Sequence, residues 1–371
     1  MPELPDHALV LGSGAGALTI SAELAFLGTK VTVADFPNFS AALSAIDNLG
    51  GVRVRCPWHA ASLAPIAATS ADPVGAAKHA PLIVVSVPSF GHETFARALA
   101  PVLSDDQTII WAGEGGGSLV MVSELRRNGR HPRALIGETN SLPYGTRVVS
   151  PATVNASKKT GGTLVSTLGQ GTAVYELARQ IWPWVTPAEN VWETVLTNFN
   201  AIDHVPPLLC NLGTIQNRRG KMLLWGEGAS PAVARVIEAV DGELLALKRS
   251  LGVKRERRYA DYLVDQGLVD ARREDLYSTL QASSLSNGTF LCGETALQSR
   301  YLTEDVPFAL VFASSLAQAV DVTTPVVDGL IALASAATGT DWRTKGRDLA
   351  SLGLVGTDRL GLLKVAEEGW W

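Results

Sequence analysis

The chain has 371 residues, 46% hydrophobic and 18% charged, enough apolar side chains for a large core and unlike a disordered protein. At about 150 residues per domain, this length predicts two or three domains. The net charge of −5 and a longest basic cluster broken by Glu256 (Lys254-Arg255-Glu256-Arg257-Arg258) argue against a nucleic-acid partner.

In chain order, Met1-Pro2-Glu3-Leu4-Pro5-Asp6 is acidic and proline-rich, unlike a secretory leader. Short apolar runs at 8–11, 30–34, 52–55, 82–87, 108–111 and 134–137 alternate with helical patterns. That alternation predicts βαβ units in a parallel, doubly wound α/β sheet. Pro88-Ser89-Phe90-Gly91 follows the fourth run, and Gly113-Glu114-Gly115-Gly116-Gly117 the fifth. Ligands of such sheets sit at the carboxyl ends of the strands, where these turns fall. The second loop suits backbone contacts to a carboxylate or a nicotinamide, and suits a plain turn equally.

Trp182-Pro183-Trp184-Val185-Thr186-Pro187 is the predicted boundary, giving domains 1–187 and 188–371. Beyond it, longer helical periods take over. Val233, Val236, Ile237, Val240, Leu244, Leu247 and Leu251 share one helical face, with Ser230 as N-cap, Pro231 at the first position and Gly252 as the stop. Residues 325–333 and 347–354 are also expected to be helical. The least charged stretches, 8–22 and 322–337, are too short to span a bilayer or carry Asp328, so no membrane partner is expected. Cys56, Cys210 and Cys292 form no C-x-x-C pair, which favours neither disulfides nor a zinc site. No metal is expected, and the expected compartment is the cytoplasm. Apolar helices in the second half and the Trp370-Trp371 end are compatible with a homodimer, or with packing inside one chain.

The segment Gly12-Ser13-Gly14-Ala15-Gly16-Ala17 fits G-x-G-x-x-G/A between a strand and a helix. Gly12 permits the tight turn, Gly14 lets the backbone approach a pyrophosphate, and Ala17 allows close helix–strand packing. Asp35 ends the next predicted strand, 23 residues after Gly12, placed to accept from a ribose and to repel a 2′-phosphate. NAD is therefore expected rather than NADP, with Pro88 at the adjoining turn.

Hydride transfer to C=O or C=N needs a proton donor, most often His. Among six histidines only His204 lies in the second half, before Pro206-Pro207. Those prolines are expected to break the helix there, so that His204 projects from a gap. His92, in the turn after the fourth run, is the rival. In Arg300-Tyr301-Leu302-Thr303-Glu304-Asp305, Arg300 suits a bidentate clamp on a carboxylate, and an acid five residues on suits orienting an imidazole.

The set of motifs resembles the octopine/nopaline (opine) dehydrogenase family over nearly the whole chain. It comprises the glycine loop, then Glu138-Thr139-Asn140-Ser141-Leu142-Pro143-Tyr144 with Arg147, then Asn200-x-x-x-His204-x-Pro206. Arg300-Tyr301-Leu302-Thr303-Glu304-Asp305-x-Pro307 and Gly346-Arg347-Asp348-Leu349 complete it. The resemblance implies a Rossmann domain followed by an all-α domain. It also implies NADH-dependent reductive condensation of an α-keto acid with the amine of an amino acid. By the same resemblance His204 is the catalytic acid/base, Asp305 its partner and Arg300 a carboxylate clamp. Asn200, Thr139 and Tyr144 are expected at the substrate site; capping of the segment before the prolines is the alternative for Asn200, and inter-domain packing is an equal reading for Thr139 and Tyr144. Glu304 and Asp203 remain rivals for the role of Asp305. Reduction of a preformed imine or a 2-keto acid, and dinucleotide binding without turnover, are the alternative functions.

Overall fold

The computed structural model describes residues 3–59 and 63–370, and its backbone forms two compact units. The first comprises the chain up to Thr194 together with Ala366–Trp370; the second is Val195–Val365.

Among the described residues, twelve strands fall in the first unit. They are β1 (His7–Leu11), β2 (Lys30–Ala34), β3 (Gly51–Arg55), β4 (Leu63–Pro65), β5 (Ala68–Ser70), β6 (Leu82–Val85), β7 (Thr108–Trp111), β8 (Leu135–Thr139), β9 (Tyr144–Ser150), β10 (Thr153–Lys158), β11 (Leu164–Thr167) and β12 (Thr186–Pro187). Eight of them make one sheet in the order β12-β11-β8-β7-β6-β1-β2-β5. From β5 to β8 every pairing is parallel, and β11 runs antiparallel to β8. The strands β6 and β7 are buried throughout, as a parallel sheet covered on both faces requires. Strand order reverses about β1, with β2 on one side and β6 on the other. Such a switch point opens a crevice at the strands' carboxyl ends.

The run at 52–55 is a strand, but it joins a second sheet, β4-β3-β10-β9, packed against the helix Ala15–Phe26. Its burial is broken at Arg53 and Arg55, which is the mark of a sheet with one wet face. The short β5 takes its place beside β2. Trp182 is fully buried in the core of this unit, and Trp184 packs against that core.

The second unit is helical apart from one two-stranded antiparallel sheet, β13 (Gly220–Leu223) with β14 (Thr289–Cys292). Its longest helix, Pro231–Ser250, begins where Ser230 Oγ accepts the Val233 N–H at 3.3 Å. It ends before Gly252, at φ +82°. Another helix, Pro325–Thr338, begins at the expected proline. Residues 347–354 are turns instead of a helix. There Asp348 Oδ1 accepts the Ser351 N–H at 2.7 Å and Gly353 adopts φ +73°, local bonding that displaces the helical ladder. No described helix is long and apolar enough to cross a membrane.

Candidate active site

In the first unit, Gly12 leaves β1 with φ +106° and donates its N–H to the Ala34 carbonyl at 2.9 Å. A Cβ there would lie 2.6 Å from the Ser86 carbonyl oxygen, so only glycine fits. The helix Ala15–Phe26 opens at Gly14 with no side-chain cap, which leaves its first N–H groups suited to an anion. A Cβ on Gly14 would meet nothing within 4 Å. Ala17 is fully buried, yet the closest approach belongs to Gly16, whose Cβ would stand 2.6 Å from Ser86 Oγ. Asp35 is buried. Its Oδ2 accepts from Ser13 Oγ at 2.7 Å, and its Oδ1 from the Phe36 N–H at 2.8 Å. Pro88 opens the turn after β6, its carbonyl accepting the Gly91 N–H at 2.8 Å.

Two residues expected at the substrate have other employment. Thr139 Oγ1 accepts the Gly113 N–H at 3.0 Å and donates to the Ser141 carbonyl at 2.8 Å, so it braces the loop after β7. Tyr144 is 1% exposed, its ring stacked on Trp58 and edge-on to Trp184. Burial, reinforced by the Glu23 carboxylate, pushes its phenol well above the usual range. Tyr144 is thus a core residue of the first unit, because β9 turns its first side chain inward. His92 is likewise buried, edge-on to Trp111.

In the second unit His204 stands on the helix Phe199–Cys210, whose N-cap Asn198 accepts the Asn200 N–H at 3.0 Å. The helix does not break at Pro206-Pro207 as expected. A proline removes the N–H that would bond the carbonyl four residues back. For Pro207 that carbonyl belongs to Asp203, and Trp225 Nε1 donates to it at 2.9 Å instead. An indole replaces the missing backbone donor, so His204 projects from a continuous helix. Asn200, one turn earlier on the same face, is half-buried.

The His204 Nδ1 atom lies 2.8 Å from Asp305 Oδ2. Its ring stacks on Tyr301, centroids 3.7 Å apart and planes 13° from parallel, with Trp225 at 5.9 Å. Asp305 is 3% exposed. Burial drives its carboxyl well above the usual range; the Glu304 charge adds to this and Arg300 opposes it. Glu304 binds Arg300 through both Nε and Nη2 at 2.5 Å. The two adjacent acids therefore take different partners, and Asp305, not Glu304, meets the imidazole. The Arg300 side chain stays 65% exposed. Asp203 flanks the opposite edge of the ring, its Oδ1 3.6 Å from His204 Nε2 and its Oδ2 accepting from Tyr259 Oη at 2.9 Å.

A π-helical turn, Val306–Leu310, begins directly after Asp305. The Pro307 carbonyl in it accepts the Arg347 N–H at 2.9 Å, and a Cβ on Gly346 would lie 2.7 Å from the same oxygen. The late Gly346-Arg347 pair thus braces the backbone that carries Asp305.

A family model described as NAD/NADP octopine/nopaline dehydrogenase, alpha-helical domain, matches residues 187–338. An opine dehydrogenase of Arthrobacter sp. (strain 1C) is 31% identical over 361 residues, covering 96% of this chain and 98% of that protein. The chain belongs to the opine dehydrogenase family. An opine dehydrogenase of Haliotis discus hannai is 25% identical over 76% of each chain. A solved octopine dehydrogenase, in complex with NADH and agmatine, shares the fold with a TM-score of 0.79 at 19% identity, covering 96% of this chain and 97% of that one.

Within this opine dehydrogenase family member, sequence reasoning missed three aromatic residues around His204 and Asp203. Tyr301 is adjacent to Arg300, but nothing in its spacing announces a stack. Trp225 and Tyr259 had no motif at all. The double proline was the available signal for Trp225, since it leaves a carbonyl needing a donor.

Proposed function

We propose that the protein is an opine dehydrogenase that condenses an α-keto acid with the amine of an amino acid and reduces the resulting imine with NADH. The observation that carries this reading is the contact of His204 with the buried Asp305, with the exposed Arg300 on the neighbouring turn. Sensing or storing a dinucleotide needs no such pair.

The residues divide the work. Arg300, held at its inner edge by Glu304, binds a substrate carboxylate; charge-assisted hydrogen bonds of this kind contribute about 1.5–3 kcal/mol each. Asp305 Oδ2, 2.8 Å from His204 Nδ1, occupies that ring nitrogen, so Nε2 is the atom that exchanges a proton with substrate. Amine addition to the keto carbon gives a carbinolamine, and His204 protonates its hydroxyl as it leaves as water. Such proton transfer is worth about 10²–10⁴ in rate. Asn200, on the same helical face, serves as a hydrogen-bonding partner for substrate.

Gly12 to Ala17, Asp35 and Pro88 fit NADH: an uncapped helix start, open space over Gly14 for pyrophosphate, and a carboxylate for the ribose. When bound, the dinucleotide supplies the hydride. Asp35 would repel a 2′-phosphate, which supports NAD over NADP. We place the cofactor residues in domain 1–187 and the acid–base pair in 188–371. A cytoplasmic location belongs to the same reading, supported by three free cysteines. The Trp370 ring packs on His131 at 3.7 Å, which removes it as an argument for a homodimer; Trp371 lies outside the described residues.

The test is an NADH-oxidation panel crossing keto acids with amino acids. Oxidation should require both substrates. Oxidation with a keto acid alone would mark a 2-keto acid reductase, and silence across the panel would mark a binding protein.

A further inference from the structure

We propose that Asp203, held by Tyr259, is a positioning residue that keeps His204 in its proton-donating form. The proposal rests on the opine dehydrogenase reading for its kinetic consequence, and on geometry for its substance. Asp203 is 6% exposed and lies on the Nε2 side of the imidazole, opposite Asp305. Its Oδ1 stands 3.6 Å from Nε2. That separation is too long for a hydrogen bond but short for an interaction between charges in a dry site. A carboxylate so placed favours the imidazolium without tying up the Nε2 proton that must be transferred.

Two contacts fix Asp203 at this distance. Its Oδ2 accepts from the fully buried Tyr259 hydroxyl at 2.9 Å, a bond that favours the ionised carboxylate. Its backbone carbonyl accepts from Trp225 Nε1 at 2.9 Å. Tyr259 is itself anchored, its N–H donating to Asp241 Oδ2 at 3.2 Å.

Other charged groups lie on the elements packed against the His204 helix. Glu304 is matched by Arg300, Asp241 by Arg258 at 3.8 Å, and Asp328 by Arg343 at 2.6 Å. Glu243 accepts the Val326 and Val327 N–H groups, and Lys248 Nζ contacts Thr197 Oγ1 at 3.4 Å. Asp305 and Asp203 are carboxylates at the two ring nitrogens.

The experiment is a histidine titration by NMR on the full-length protein, with the His204 resonance assigned through His204→Gln and with no turnover required. Asp203→Asn should lower the imidazole pKa by about one unit, a fall of about tenfold in proton affinity. Tyr259→Phe should shift it in the same direction by less. In parallel, kcat/KM for the keto acid in the reductive direction should lose its basic limb at correspondingly lower pH, with the deficit growing as pH rises. An unmoved titration in both variants, or a deficit equal at every pH, overturns the proposal. If Asp203→Asn does not fold, Tyr259→Phe decides alone. Failure of the wild-type protein to oxidise NADH would defeat the functional reading and leave the titration result standing.

Discussion

His204 and Asp305 meet at 2.8 Å across 101 positions of sequence, and each comes from backbone that a proline disturbs. Pro207 sits inside the His204 helix; Pro307 lies in the π-helical turn that follows Asp305. Beside each, a residue elsewhere in the second unit bonds a backbone carbonyl: Trp225 at Asp203, whose helical donor Pro207 lacks, and Arg347 at Pro307 itself.

Breaking the pair should cost rate and spare cofactor affinity. His204→Gln removes the proton carrier, so kcat should fall by about 10²–10⁴ while the NADH Kd, read by fluorescence, stays near the wild-type value. Asp305→Asn leaves a side chain of the same shape but frees the imidazole to take the wrong tautomer, and should fall in the same range. Near-normal turnover in either variant would remove that residue from the mechanism.

The glycine loop allows a sharper separation of folding from binding. Gly12→Ala places a methyl 2.6 Å from a backbone oxygen at φ +106°, so it should lower Tm and weaken NADH together. Gly14→Ala adds its methyl to open space, so Tm should hold while the NADH Kd rises at least about tenfold, or about 1.4 kcal/mol. A drop in Tm for Gly14→Ala with affinity unchanged would contradict a phosphate contact there.

Asp35 tests nucleotide preference. Its carboxylate is oriented by Ser13 and by the Phe36 N–H. Asp35→Ala should weaken NADH more than NADPH, narrowing the ratio of their Kd values in equilibrium titrations. Equal losses for both would take Asp35 out of ribose recognition.

Much of this site was legible because its signals are local. Gly12 to Ala17 and Asp35 stand in register along one βαβ unit, where spacing alone fixes geometry. Ser230, Pro231 and Pro325 mark helix starts by the same local chemistry. The pairing of His204 with Asp305 instead came through family resemblance, since no periodicity links residues so far apart. What misled was local chemistry overruled by distant contacts. Pro206-Pro207 reads as a break until Trp225 supplies the missing donor. Tyr144 reads as a site residue until β9 and β10 pair and turn it onto Trp58 and Trp184. The short β5 carried too few apolar residues to announce itself.

The second unit also offers a pH-dependent stability test away from the chemistry. Asp328, in the first turn of Pro325–Thr338, accepts from Ser314 Oγ and Arg343 Nη2, each at 2.6 Å. Burial alone would raise its carboxyl, but these hydrogen bonds and the Arg343 charge hold it below the usual value. A group with a lowered folded pKa adds stability above its unfolded pKa, and loses it as pH falls through the folded value. Because Asp328 is 40% exposed, solvent screening reduces the gain to about 1 kcal/mol. Asp328→Asn should therefore lower Tm by about 2–4 °C at pH 7. The gap should shrink as the pH falls from about 3.9, where the unfolded carboxylate protonates, toward the lower folded value. Arg343→Ala should show the same closing gap, and 0.5 M salt should narrow the pH 7 difference in both. A Tm difference that persists undiminished at acid pH would assign Asp328 to packing alone.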